Sequence, residues 1–212
     1  MPKPLLIIDL DGTFVSVNTF HKWMIFVAKQ ALKKLGLKAL SKILYTIALR
    51  AFKRINHAQM KYAILEVSEK LVTDKEIEIF VNTLEPYVHL NILKILEEKN
   101  ISILATAAPL IYAKAIKEKY GFDYVIATSP TSIKPWKENL KEEKKKNLLA
   151  LLKEEDIRAS QSILYTDHHD DLPLMRYANE TYLVGDSKET LEKIEEKNIN
   201  IIALNILPKK RV

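Results

Sequence analysis

The chain is expected to be an α/β protein, a parallel-sheet domain interrupted by a helical insertion. Three observations predict this. The run Leu5-Leu6-Ile7-Ile8 is continuously apolar, as in a central parallel strand covered on both faces. From about Asn18 to Asn100 the apolar residues recur at helical spacing. From Ile101 onward, short β-branched runs alternate with lysine- and glutamate-rich stretches, the pattern of a parallel α/β sheet.

The elements follow in order. After the first strand, Trp23, Phe26 and Val27, then Leu40, Ile43, Leu44, Ile47 and Ala51, mark amphipathic helices. Thr73-Asp74-Lys75-Glu76 has the form of a capping box ahead of Ile77, Ile79 and Phe80. Pro86 is placed to start a further helix or a linker. The remaining strands are expected at "ISILAT", "YVIAT", "SILYT", "TYLVG" and "INIIAL". Because the first strand has no partner before Ile101, residues 16–99 read as the insertion and residues 1–15 with 100–212 as the sheet domain. No internal repeat is present, and "KEEKKK" at Lys141–Lys146 is the one low-complexity patch.

Composition narrows the function classes. The 212 residues are 48% hydrophobic and 28% charged, ordinary for a globular protein. With no cysteine, disulfides, thiolate metal sites and cysteine nucleophiles are excluded, and a reducing cytoplasm is the expected location. The start "MPKPLLIIDLDG" is too short and too acidic for a secretory signal, so no export is expected. No run of 18 apolar residues suggests a spanning helix. The net charge of +6 is modest, and no nucleic-acid reading motif accompanies it, so no nucleic-acid partner is expected.

Ligands of open parallel sheets bind beyond the carboxyl ends of the strands. The first strand ends at Asp9 and Asp11, the second at Thr106, and "SILYT" at Asp167 with Asp170 and Asp171 behind it. Carboxylates two residues apart at a strand end can share a hard cation such as Mg²⁺. A carboxylate can also attack phosphorus to give an acyl phosphate. Gly12 would let the backbone come close to a phosphate. The plainer reading of "DLDG" is a polar turn, but other strand ends carry suitable groups in the same chain.

These residues resemble the motifs of the haloacid dehalogenase-like superfamily, mostly phosphohydrolases. "LLIIDLDGT" fits its first motif, hhhhDxDGT; "ISILATAAP" is similar to the second, with Thr106 in place; "SILYTDHHDDLPLM" resembles the fourth, with Asp167 and Asp171 four apart. The "DLPLM" tail is similar to the phosphoserine-phosphatase-like branch. The third motif is a lysine opening a helix with a leucine four residues on. Lys144 with Leu148 fits it best and Lys145 with Leu149 competes, while Lys141 stands where the branch has a glycine. Thr166 also replaces a frequent glycine, and two alanines follow Thr106.

The resemblance implies a three-layer, Rossmann-like sheet of order 3-2-1-4-5. It also implies that residues 16–99 are a class-1 helical cap that selects the substrate. It implies a Mg²⁺-dependent phosphatase in which Asp9 is the nucleophile and Asp11 the general acid and base. Gly12, Thr106, Ala107 and Lys144 would hold the phosphate. Asp9, the carbonyl of Asp11 and Asp167 would hold the metal, with Asp171 as ligand or support. The acid at Asp11 separates phosphatases from dehalogenases and phosphonate-cleaving relatives.

His168 and His169 invite a metal-ligand reading, but hard oxygen sites favour carboxylates. Trp23 and Trp136 read as core or interface aromatics, and Trp136 could border the pocket. The expected substrate is a small phosphorylated metabolite. The basic amphipathic stretch from Leu32 to Ile55 leaves open a lipid phosphatase at an anionic membrane, like the branch's phosphatidylglycerophosphate phosphatases. Phosphotransfer and non-catalytic phosphate binding are further alternatives.

Overall fold

A computed structural model of the chain describes residues 3–96, 100–185, 187–201 and 203–204. Strand β1 (Leu5–Ile8) lies between β2 (Ile101–Pro109) and β4 (Ser162–Thr166), parallel to both, with Ile8 in register with Leu104 and Tyr165. With β3 (Tyr124–Thr128), β5 (Glu180–Leu183) and β6 (Ala203–Leu204) the sheet runs β3-β2-β1-β4-β5-β6. The expected order 3-2-1-4-5 is therefore present, with β6 added beside β5. Of the expected last strand "INIIAL", Ala203 and Leu204 form β6, and Ile202 lies outside the described residues.

Between β1 and β2 come α1 (Thr19–Leu35), α2 (Leu37–Ala51), α3 (His57–Leu71), α4 (Asp74–Asn82) and α5 (Leu90–Leu96). Local chemistry sets their starts. The side chain of Asn18 accepts from the His21 N–H at 2.8 Å, and Asn56 and Gln59 form a reciprocal capping box. The expected pair at Thr73 is formed, its N–H donating to Glu76 Oε2 at 2.9 Å. Pro86 sits in a single 3₁₀ turn, Glu85–Tyr87, ahead of α5. Beyond β2 follow α6 (Leu110–Tyr120), α7 (Glu142–Glu154), α8 (Leu172–Met175) and α9 (Lys188–Glu196).

The alternation of β1 explains why its apolar run is unbroken. Leu5 and Ile7 face one core with Leu148, Leu174 and Ile194 of α7, α8 and α9. Leu6 and Ile8 face the other, with Ile92 of α5 and Tyr112 of α6. That second core continues without a break into the insertion through Phe14, Phe20, Trp23, Ile64 and Phe80. Trp23 is fully buried, its ring 4.8 Å from Phe80 and 5.1 Å from Tyr112. Sheet and insertion thus share one apolar interior, which fixes the start of α1 against the strand ends.

Candidate active site

The carboxyl ends of β1, β2 and β4 open into a cavity of about 370 Å³. Asp9, Asp11, Gly12, Thr106, Ala107, Lys144, Asp167 and Asp171, all singled out from the sequence, line it. A larger hollow of about 730 Å³ lies between α4 and α6, away from the strand ends, where Asp74, Glu78 and Glu118 are interleaved with Lys114 and Lys119.

Asp9 extends the β1 ladder, its N–H donating to the Tyr165 carbonyl at 3.0 Å. The chain then turns tightly: Phe14 N–H returns to the Asp9 carbonyl at 3.1 Å and Val15 N–H to that of Leu10 at 2.9 Å. Leu10, Phe14 and Val15 are buried, so apolar anchors hold the loop that presents the acids. Gly12 lines the cavity, and the structure shows a further reason for glycine there. Its N–H is spent on the Val15 carbonyl at 2.7 Å, and its φ is +80°. A Cβ there would lie 2.0 Å from Asp167 Oδ2, so the missing side chain makes room for that carboxylate.

Lys144 stands in the first turn of α7, with Leu148 fully buried four residues on, and of the candidate lysines it is the one turned inward. Its ammonium lies 2.9 Å from Asp9 Oδ1 and 2.6 Å from Asp171 Oδ1. Lys145 is half-buried beside the exposed Leu149, and Lys141 is exposed, 3.4 Å from Asp170. Lys141 has φ 53° and ψ −127°, a backbone shape that suits glycine, the residue absent there. Thr166 Oγ1 donates to Asp171 Oδ2 at 2.7 Å, so both oxygens of Asp171 are engaged within the protein.

Electrostatics follow from burial. Burial pushes the Asp9 carboxyl well above its ordinary range; Lys144 opposes this and Asp171 and Asp167 add to it. Asp11 is raised by burial against hydrogen bonds from Thr19, whose N–H at the start of α1 reaches Asp11 Oδ1 at 2.8 Å. Asp167 is raised to about 6, chiefly by burial. Burial works to deprotonate Lys144, but Asp171 and Asp9 outweigh it and hold the ammonium charged.

Thr106 is buried at the end of β2; its Oγ1 accepts from the Ala108 N–H at 2.9 Å, leaving its own hydrogen to donate. Asn139 donates to the Thr106 carbonyl at 2.8 Å, which braces that strand end. His168 lines the cavity and His169 receives Lys193 Nζ at 2.8 Å, so that ring nitrogen is already engaged. Trp136 lies outside the lining, its ring 5.4 Å from Tyr62 and its N–H donating to the Ser129 carbonyl.

Lys61, Glu138 and Asn139 were not anticipated. Buried Lys61 of α3 donates to the Ala107 carbonyl at 3.3 Å and pairs with Glu138, with His57 Nδ1 at 3.6 Å from the same carboxylate. Along the same helix Glu69 accepts from Thr131 N–H at 2.9 Å, and Lys134 donates to the Tyr62 hydroxyl at 2.6 Å. Helix α3 is therefore strapped to residues 129–140, the segment leading into α7. The readable signal was a lysine on the apolar face that carries Ile64, Leu65 and Ser68. Asn139 left no such signal.

Residues 6–176 match the family of haloacid dehalogenase-like hydrolases. No curated protein matches the chain by sequence. Among solved structures, a Bordetella pertussis Tohama I protein of unknown function aligns at TM-score 0.75 and 15% identity, over 95% of this chain and 99% of that one. A probable phosphoserine phosphatase from Vibrio cholerae aligns at TM-score 0.64 and 13% identity, over 90% of this chain and 58% of its own. A phosphoserine phosphatase solved as an analogue of its phospho-aspartyl intermediate aligns at TM-score 0.55 and 17% identity, over 96% and 93%. At these identities the likeness is one of fold.

Two outcomes are expected. Burial raises Glu138, but His57 and Lys61 outweigh it and hold the carboxyl at about 2, below its ordinary 4.5. Its contribution is thus complete above pH 4.5 and is lost as the pH falls toward 2. In urea titrations Glu138→Gln should cost about 2 kcal/mol at neutral pH, with the gap to wild type closing across that acid range; a gap independent of pH would refute the pairing. Lys141→Gly should raise the urea midpoint by relieving about 1 kcal/mol of backbone strain, and an unchanged or lowered midpoint counts against the strain.

Proposed function

We propose that this chain, which belongs to the haloacid dehalogenase-like hydrolase family, is a phosphatase that cleaves a small phosphorylated metabolite through an aspartyl-phosphate on Asp9. The observation that carries the reading is the pairing of Asp9 with Lys144 next to a second, protonatable acid, Asp11.

Lys144 engages Asp9 Oδ1, and Oδ2 has no hydrogen-bond partner among the described residues, so Oδ2 is the oxygen free to attack phosphorus. As the Oδ2–P bond forms, the bond from phosphorus to the ester oxygen breaks and its electron pair leaves with that oxygen. Asp11, raised by burial, gives the departing alkoxide its proton. The Asp11 carboxylate then accepts a proton from a water that attacks phosphorus, releasing phosphate and restoring the Asp9 carboxylate. Thr106, Ala107 and Lys144 line the cavity, and the Thr106 hydroxyl, the Ala107 N–H and the Lys144 ammonium would hold phosphoryl oxygens as charge spreads over them. Asp171, taken up by Lys144 and Thr166, keeps that ammonium in position.

The chemistry of the donor set suits Mg²⁺: Asp9 and Asp167 line one cavity and offer hard carboxylate oxygens which, with the Asp11 carbonyl, would hold the ion where burial has already made ionisation costly. When bound, Mg²⁺ offsets the repulsion between these carboxylates and an anionic phosphate. Residues 16–99 would act as the cap, since Ser16, Val17 and Asn18 line the cavity rim and Lys61 reaches the Ala107 carbonyl.

With an aryl phosphate and Mg²⁺, the wild type should release phosphate, Asp9→Asn should sit at background, and Asp11→Asn should lose about 10²–10⁴-fold in kcat. Equal turnover by wild type and Asp9→Asn would end the proposal. A metal-free measurement tests the cation cluster separately. A carboxyl raised from 3.8 to about 6 costs the fold about 3 kcal/mol once ionised; the cost is absent below pH 3.8 and complete above pH 6. In a chelator at pH 8, Asp167→Asn should therefore melt higher than wild type, and Mg²⁺ should raise the melting temperature of wild type only.

A further inference from the structure

We propose that the hairpin of α1 and α2 is a docking surface for an anionic lipid bilayer, independent of the chemistry in the cavity. The two helices meet at Gly36. At that tip Leu35 and Leu37 are 62% and 76% exposed. Leu37, Leu44 and Tyr45 of α2 and Phe52 at its C-cap are large exposed apolar side chains, spaced i, i+7, i+8 and i+15, which places them in one stripe along the helix and its end. Ile43, on the other side of the same helix, is buried in the core. Exposed Leu32 of α1 lies one turn from the tip. A stripe of this kind normally faces a protein interior; here no described residue covers it.

Charge identifies what covers it. From Gly12 to Leu65 the chain contains no aspartate or glutamate, whereas lysine or arginine recurs throughout. Among the described residues of this stretch, Lys34 pairs with Glu76 of α4 and Lys61 with Glu138. Lys29, Lys33, Lys53 and Arg54 are exposed and form no ion pair among the described residues. Elsewhere, as on α7 and α9, lysines and glutamates are interleaved, so the loss of acids belongs to the hairpin.

A second copy laid on this face would set cation against cation. A nucleic acid would satisfy the charges and leave the leucines, Tyr45 and Phe52 in water. An anionic bilayer answers both: apolar side chains enter the boundary below the head groups while the flanking cations meet lipid phosphates. No described helix is long and apolar enough to cross the membrane, so the contact is peripheral. Asn18, at the opposite end of α1, lines the cavity rim, so docking at the tip leaves the site clear of the contact.

The test is flotation of the full chain with vesicles of phosphatidylglycerol and phosphatidylcholine, compared with phosphatidylcholine alone. Binding is expected on the anionic vesicles, weakened by salt. Lys53→Glu/Arg54→Glu should lower that affinity on the order of tenfold or more, and Leu44→Asp/Phe52→Asp should abolish it. Both pairs lie on the surface and should leave hydrolysis of a soluble aryl phosphate unchanged. The proposal is overturned if wild type ignores anionic vesicles or if the variants bind as wild type does. It is equally overturned if sedimentation shows a dimer that Leu44→Asp/Phe52→Asp breaks, because a second copy then covers the stripe.

Discussion

A lysine ammonium held between two buried carboxylates cannot be assembled piecemeal. Lys144, Asp9 and Asp171 are each almost fully withdrawn from water, and any one of them alone would be an uncompensated interior charge. The surrounding structure meets that constraint. The parallel register of β1 and β4 brings Asp9 and Asp167 to adjacent strand ends. The first turn of α7 delivers Lys144 across from them, at the helix end where a cation is least welcome, so the acids also answer the helix dipole. One ammonium does not offset three acids, and the residual repulsion, with burial, holds Asp9 and Asp167 above their ordinary range.

The same constraint accounts for the fastening around the site. Thr166 satisfies the second oxygen of Asp171, and Asn139 ties the β2 end to the segment that leads into α7. That segment is gripped by α3 through Glu69, Tyr62 and Lys61. The insertion therefore bears on the placement of Lys144 without touching it, because the strap sets where α7 begins. Positional accuracy of this kind matters more to catalysis than to folding, since small displacements of a reacting group are costly.

What could be read from the sequence was whatever short-range pattern encodes. The covered strand at Leu5–Ile8, the acids at strand ends and the capping box at Thr73 each depend on a few neighbouring residues. The topology followed because parallel connections admit few alternatives. The choice between Lys144 and Lys145 depended on the phase of α7, which the backbone at Lys141 sets and which no spacing rule reports. That Gly12 also makes room for the Asp167 carboxylate was not legible, because that group comes from far along the chain. Lys61, Glu138 and Asn139 escaped for the same reason: their partners are remote in sequence, and a lysine among apolar residues passes for a surface residue until its partner is seen.

The continuous interior that joins Leu6 and Ile8 to Trp23 and Phe80 bears on how the molecule can breathe. Phe14, just beyond the acids, packs edge-on against Tyr120 at 5.0 Å and Phe122 at 5.2 Å, so the first connection into the insertion is wedged rather than slack. Swinging α1 away from the sheet would tear aromatic surface out of a close-packed interior, a cost closer to unfolding than to hinge motion. Under the proposed function, substrate would pass Ser16, Asn18, Leu140 and His168, which line the cavity alongside the acids. With the wall fixed in this way, the size of the opening, and not a hinge, would decide which molecules the proposed reaction admits.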